Sequence, residues 1–187
     1  MDLFRIRLAK ESFKFSSTHF TLFSATDAER LHGHNYQVSV ECELNALGTY
    51  GMGFEFNSLK PLVKKMTDGW DERVLLPRKS AHLRFQDETV RGEEHLVVDF
   101  HTRSYRLPKQ DVVLLETENI TSEELARLFA VNLAKAWKAS LSTDDLSSKN
   151  SSSLASRVRS LTITVEETRG QNASYVMELP LVRSDLQ

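Results

Sequence analysis

The chain is 187 residues long, 40% hydrophobic and 27% charged, with 24 Lys plus Arg against 26 Asp plus Glu. That length and apolar fraction suit a folded domain with its own core and exclude a disordered chain. The near-neutral balance carries no basic footprint for nucleic acid, no basic amphipathic stretch speaks for a membrane surface, and no apolar run approaches the ~18 residues of a membrane span.

Elements follow in chain order. The opening MDLFRIRLAKESF alternates charge with hydrophobe and does not read as a signal peptide. Phe4, Ile6 and Leu8 mark a half-buried strand. Phe13, Phe15 and His19 continue on the opposite parity, so a bulge or turn near Lys10–Glu11 is expected to restore a common face. HGHNYQVSVECEL is the next strand, with Tyr36, Val38, Val40, Cys42 and Leu44 on one side. Cys42 reads as core, since a free cysteine packs as a small hydrophobe. As the single cysteine it excludes an internal disulfide, which fits a reducing, cytoplasmic setting.

NSLKPLVKKMTDGW switches to the helical period. Leu59, Leu62, Val63, Met66 and Trp70 form its stripe, with Asn57 or Ser58 expected as cap and Pro61 in the first turn. Residues 78–118 hold short strand-like pieces, HLVVDF and VVLL, between turns. ITSEELARLFAVNLAKAW is a second helix: Thr121 and Glu124 make a capping-box pattern, and Leu125, Leu128, Phe129, Leu133 and Trp137 its apolar stripe. Residues 138–156 are serine-rich and read as a loop, before closing strands LTITVEET and SYVMELP. The order predicts one α+β domain over 1–187, an antiparallel sheet with helices on one face and 78–118 as an insertion.

The chemistry gathers at ERLHGHNY, residues 29–36. His32 and His34 lie two apart on a strand and share parity with Val38 and Val40, so both point inward. His19 shares parity with Phe13 and Phe15 and faces inward from the neighbouring strand. Buried imidazoles are costly unless hydrogen-bonded or metal-bound. Three neutral imidazoles suit zinc and leave a fourth position open, whereas closed structural sites use four ligands, usually with cysteine. Taken singly, each histidine is equally a hydrogen-bonded core residue, and the residues alone leave both readings standing. His82, His95 and His101 sit in charged or strand-edge surroundings and read as non-ligands.

The segments FSSTHF, RLHGHNYQVSVE, GMGFEFNSLK, WDERVLLP, NITSEELA and VEET, in this order, resemble the 6-pyruvoyl tetrahydropterin synthase family, which includes the 6-carboxytetrahydropterin synthases of the queuosine pathway. The resemblance covers roughly residues 4–178, with extra length in 78–118 and the serine-rich loop. It implies a tunnelling fold: a four-stranded antiparallel sheet with two helices on one face, joined into a homo-oligomer, a trimer or hexamer, with active sites at subunit boundaries. It implies Zn2+ on His19, His32 and His34. It also implies a glutamate that anchors the pterin ring, matching Glu167, while Thr121, Ser122 and Glu123 match a segment that meets the pterin. Strand parity supports Glu167 over Glu166, because Leu161, Ile163, Val165 and Glu167 alternate together. The alternative is that the strand stops short and both glutamates are solvated. For Thr121, helix capping and substrate contact are compatible roles.

The chain also departs from the family pattern. Well-known members carry a cysteine base four residues before the HGH pair, where this chain has Ala28, and an Asp-His pair, where it has Asp71–Glu72. A thiolate–histidine relay is therefore impossible with these residues. Glu29 stands where a glutamate replaces the cysteine in a malarial-type subgroup that cleaves the side chain of dihydroneopterin triphosphate. The resemblance thus implies a zinc-dependent lyase on a small pterin triphosphate, with Glu29 moving the proton and Asp71 and Glu72 supporting it. Three products are open: the 6-pyruvoyl compound, 6-carboxytetrahydropterin, or 6-hydroxymethyl-dihydropterin for folate. A metal-containing pterin-binding protein without turnover is the alternative of another class.

Overall fold

The computed structural model describes residues 3–141 and 153–179. Its strands are β1 (Phe4–Leu8), β2 (Lys14–His19), β3 (His32–Leu44), β4 (Arg73–Pro77), β5 (Arg84–Val90), β6 (Glu93–Phe100), β7 (Arg103–Pro108), β8 (Val112–Leu115), β9 (Val158–Thr168) and β10 (Gln171–Glu178). Two long helices, α1 (Lys60–Trp70) and α2 (Ser122–Ser140), complete the frame.

The thirteen-residue β3 organises the sheet. β1 pairs antiparallel with its second half, Leu8 opposite Val40, and β2 with its first half, Phe15 opposite Tyr36 and His19 opposite His32. Between β1 and β2 the chain turns, closed by Phe13 N–H donating to Lys10 O at 2.9 Å. The turn absorbs the change of parity, so Leu8, Phe13 and Phe15 all reach the buried face, as the alternation required. β9 pairs with the other side of β3, Val38 opposite Val165, and β10 with β9. These antiparallel lanes are the sheet the sequence predicted. The structure extends it: β4 joins β2 in parallel and β8 joins β4 in parallel. VVLL of β8 therefore belongs to the main sheet, whereas HLVVDF lies in β6, the centre of a separate antiparallel β5–β6–β7 sheet.

Both helices cover one face of the main sheet. Tyr36, Val38, Val40, Cys42 and Leu44 are fully buried beneath them, which bears out the predicted strand face. Burial pushes the Cys42 thiol up to about 12, as expected of a packing residue rather than a reactive one. Trp70 of α1 meets Phe15 and Phe129 edge-on, with centroids 5.4 and 5.6 Å away. A second apolar cluster joins Phe20, Leu22 and Ala28, from the β2–β3 connection, to Leu96, Val98 and Phe100 of the inserted sheet.

Three local expectations change. Neither Asn57 nor Ser58 caps α1: Phe56–Ser58 form a tight turn, Leu59 takes the cap position, and Ser58 Oγ donates to Glu55 O at 2.7 Å. At α2, Thr121 accepts Glu124 N–H at 3.3 Å, but the return half of the capping box is not what occupies Glu124. Its carboxylate is engaged by Arg127 at 2.6 Å and by the Thr117 hydroxyl. Of the serine-rich stretch 138–156, residues 142–152 lie outside the described residues, 138–140 finish α2, and Leu154–Arg157 form a helical turn.

Candidate active site

Register builds the site. His19 and His32 face each other across β2 and β3, and His34 follows two residues along β3 on the same side. Their rings stand close, with centroids 4.8 Å apart for His19–His32, 4.7 Å for His32–His34 and 5.4 Å for His19–His34. One ring nitrogen from each lies within 4.8 Å of the others, and among the described residues this is the group with metal-holding geometry. His19 is buried, while His32 and His34 open onto a cleft. His82, His95 and His101 take no part.

Ring orientation is set from behind. His19 Nδ1 faces Ile120 O at 3.3 Å and His32 Nδ1 faces Arg30 O at 2.7 Å. A carbonyl accepts only, so each Nδ1 carries the proton and each Nε2 turns a lone pair to the cleft. Burial also lowers the His19 pKa and favours the neutral, ligating form, although the Glu167 charge works against it.

Glu167 comes from β9, which runs on to Thr168, so the strand does not stop short. Its Oε1 lies 3.3 Å from His19 Nε2 and 3.4 Å from His34 Nε2. Glu166 points elsewhere and accepts Gly170 N–H at 2.8 Å. Glu167, on the parity of Leu161, Ile163 and Val165, is therefore the one of the two that lines the cleft. An acceptor carboxylate set against lone-pair nitrogens is relieved by a proton or a cation between them, and a divalent cation suits the three-nitrogen donor set.

Glu29 lines the same cleft from the β2–β3 connection. Its Oε2 accepts Thr21 N–H at 2.9 Å, and Glu29 N–H returns to Thr21 O at 2.9 Å. Partial burial alone would raise its pKa, but the Thr21 hydrogen bonds and the nearby His32 and His19 hold it below the usual carboxylate range. The cleft has a volume of about 390 Å³ and is lined by Thr21, Glu29, His32 and His34, by Thr121, Ser122 and Glu123 at the start of α2, and by Glu167 and Gln171–Ala173. Its size suits a small heterocyclic ligand. A larger groove, about 550 Å³, lies on the polar sheet face around Arg7, Ser39 and Thr164 but holds no histidine.

Seven of the expected site residues besides His19, namely Glu29, His32, His34, Thr121, Ser122, Glu123 and Glu167, line this one cleft. Asp71 and Glu72 are not among its lining residues. They follow α1, where Asp71 Oδ1 accepts Ser16 N–H at 2.7 Å and Glu72 N–H donates to Ser16 O at 2.7 Å, tying the helix end to β2. Sequence reasoning placed Tyr36 in the core and missed its second role. The ring stacks on Phe15, while the hydroxyl reaches His19 Nε2 at 3.0 Å and Glu167 Oε1 at 3.2 Å. Burial, and then the Glu167 charge, push its pKa far upward, so it stays a donor. The available signal was that a buried tyrosine hydroxyl wants a partner.

The described residues thus define an α+β protein whose mixed sheet carries a three-histidine candidate metal centre at a cleft that also holds Glu29, Glu123 and Glu167. Residues 7–178 match the family model described as 6-pyruvoyl tetrahydropterin synthase, and the chain belongs to that family. A Methanocaldococcus jannaschii protein provisionally assigned as a 6-carboxy-5,6,7,8-tetrahydropterin synthase is 30% identical over 127 residues, covering 67% of this chain and 74% of that protein. A Pyrococcus abyssi protein with the same provisional assignment is 34% identical over 124 residues, covering 65% and 68%. Among solved structures, Plasmodium falciparum 6-pyruvoyl tetrahydropterin synthase has a TM-score of 0.81 at 24% identity, covering 95% of this chain and 99% of that one. The Plasmodium vivax protein has a TM-score of 0.78 at 22% identity, covering 96% and 100%. These two likenesses show the fold, which is the tunnelling fold.

Proposed function

We propose that the chain is a zinc-dependent lyase acting on 7,8-dihydroneopterin triphosphate, with Glu29 in place of the usual cysteine base. The observation that carries this reading is the joint presence of Glu29, the histidine group and Glu167 in one cleft of ligand size. His19, His32 and His34 would hold the ion, which supplies Lewis acidity toward a side-chain oxygen of the substrate. Glu29, ionised and fixed by Thr21, is placed to accept a proton from the substrate side chain. Glu167 offers acceptor oxygens for paired N–H donors of the aminopyrimidine edge, and Thr121, Ser122 and Glu123 flank it. Tyr36 donates to Glu167 and steadies that carboxylate. Support for a carboxylate base comes also from Plasmodium vivax, whose synthase was solved as variants of a catalytic glutamate.

Among the described residues, the cleft lining carries Glu29, Glu123 and Glu167 but no Lys or Arg. A triphosphate cannot be neutralised by such a wall, so its cationic partners come from beyond it. That supports a homo-oligomer, trimer or hexamer, with sites at subunit boundaries. Asp71 and Glu72, away from this cleft, are then candidates to serve the site of a neighbouring subunit.

The test is incubation with dihydroneopterin triphosphate and zinc, with products identified by mass. Triphosphate elimination gives the 6-pyruvoyl compound, loss of a two-carbon fragment gives 6-carboxytetrahydropterin, and retro-aldol cleavage gives 6-hydroxymethyl-dihydropterin. The archaeal relatives favour the second product, and Glu29 favours the third. Pterin binding with no product from wild type or Glu29→Ala would instead identify a non-catalytic binder.

A further inference from the structure

Glu29 sits on a connection rather than on a strand, and a base on a connection needs something to hold it. The segment is closed upon itself. Leu22 bridges Ala28, and Phe23 and Ser24 N–H donate to Asp27 O at 2.9 and 3.0 Å. One flank is fastened by Asn119, whose amide takes both Leu22 backbone groups at 2.9 Å each. The other flank is fastened from the inserted sheet. Arg103, the first residue of β7, donates Nη1 to Glu29 O at 2.6 Å and Nη2 to Ala28 O at 3.0 Å. The planar fork of a guanidinium matches two successive carbonyls in a way a lysine ammonium cannot. Its own place is set by the Phe100 ring, 5.9 Å from Cζ, and by the buried cluster that joins Phe20, Leu22 and Ala28 to β6.

We propose that Arg103 is a positioning residue for Glu29, and that the inserted β5–β7 sheet is the buttress of the site although none of its residues lines the cleft. The clamp acts on the backbone of Glu29 itself and of its neighbour Ala28, and fixes the direction in which the carboxylate leaves the chain. This inference rests on reading Glu29 as the base.

The test compares Arg103→Ala and Arg103→Lys with Arg106→Ala, a β7 control whose arginine pairs with Glu88 on the exposed surface. In Arg103→Ala, amide exchange at Thr21 and Glu29 accelerates about tenfold or more while the β9 amides stay protected. The cobalt(II) spectrum of the substituted histidine centre is unchanged. Turnover kcat falls about a hundredfold with KM within about twofold, and Arg103→Lys recovers part of it. In a Glu29→Ala background the Arg103→Ala change costs no further activity, because the residue it aims is gone. Unaltered exchange at Thr21 and Glu29, an altered cobalt spectrum, or an undiminished loss in the Glu29→Ala background each overturns the proposal. Absence of turnover in the wild type counts against the lyase reading instead, and the exchange measurement then decides the clamp by itself.

Discussion

Glu29 and Glu167 face one cleft but are held in different company. Glu29 is bonded to a backbone N–H and lies beside histidines, which keeps it ionised. Glu29→Gln keeps the size and loses the proposed base; product formation is expected to fall about 10² to 10⁴-fold, read by single-turnover assay, with pterin binding retained. Glu167 shares its Oε1 with His19, His34 and Tyr36, so it would couple the candidate metal centre to the proposed ring-binding wall. Tyr36→Phe removes the hydroxyl that bridges them while leaving the stacked ring. Pterin affinity is expected to weaken about tenfold, as loss of a hydrogen bond to a charged acceptor usually costs, measured by equilibrium titration. Unchanged affinity in that variant would show the hydroxyl to be a packing accident.

At the scale of elements, helix α2 has two duties. Its apolar side closes the core, and its cap Thr121 and first-turn residues Ser122 and Glu123 line the cleft. Phe129 is fully buried against Trp70, and Phe129→Ala is expected to cost about 3–5 kcal/mol in denaturant unfolding. The same helix carries a pH-dependent contribution. Glu124 is held below the usual carboxylate range, first by its hydrogen bond to Arg127, with the Thr117 hydroxyl adding to it. A depressed folded pKa means that this stabilisation is present above the ordinary carboxylate value and is lost as pH falls through the folded one. Glu124→Gln should therefore be less stable than wild type at pH 7, with the difference closing in acid. A gap that persists at low pH would point to packing rather than charge.

For the whole molecule, an ion held by the histidine centre would link the strands β2 and β3, so binding and stability would be coupled. Zinc at about 1,000 times its Kd is expected to add about 4 kcal/mol, removed by chelation and absent in His19→Ala, as followed by thermal unfolding. Among the described residues the cleft is lined by acids and by no Lys or Arg, and the proposed boundary site would bring the missing cations from a neighbouring chain. Light scattering should give a mass of three or six chains; a fully active monomer would exclude the boundary site. No helix among the described residues is long and apolar enough to cross a membrane.

The residues alone were enough for the periodic parts. Alternation in β3 and β9 set which side chains share a face, and that placed His32, His34 and Glu167 correctly, because strand geometry repeats every two residues whatever lies around it. The turn between β1 and β2 was also legible, since Leu8, Phe13 and Phe15 could not otherwise meet one core. Tertiary structure decided what periodicity cannot encode. The parallel additions of β4 and β8, Asp71 spent on Ser16 rather than in the cleft, Tyr36 reaching into the site and Arg103 gripping Glu29 all join residues far apart in the chain. Those partners are chosen by which buried donors and carbonyls the folded chain leaves adjacent and unsatisfied, a competition that exists only once the sheets have packed.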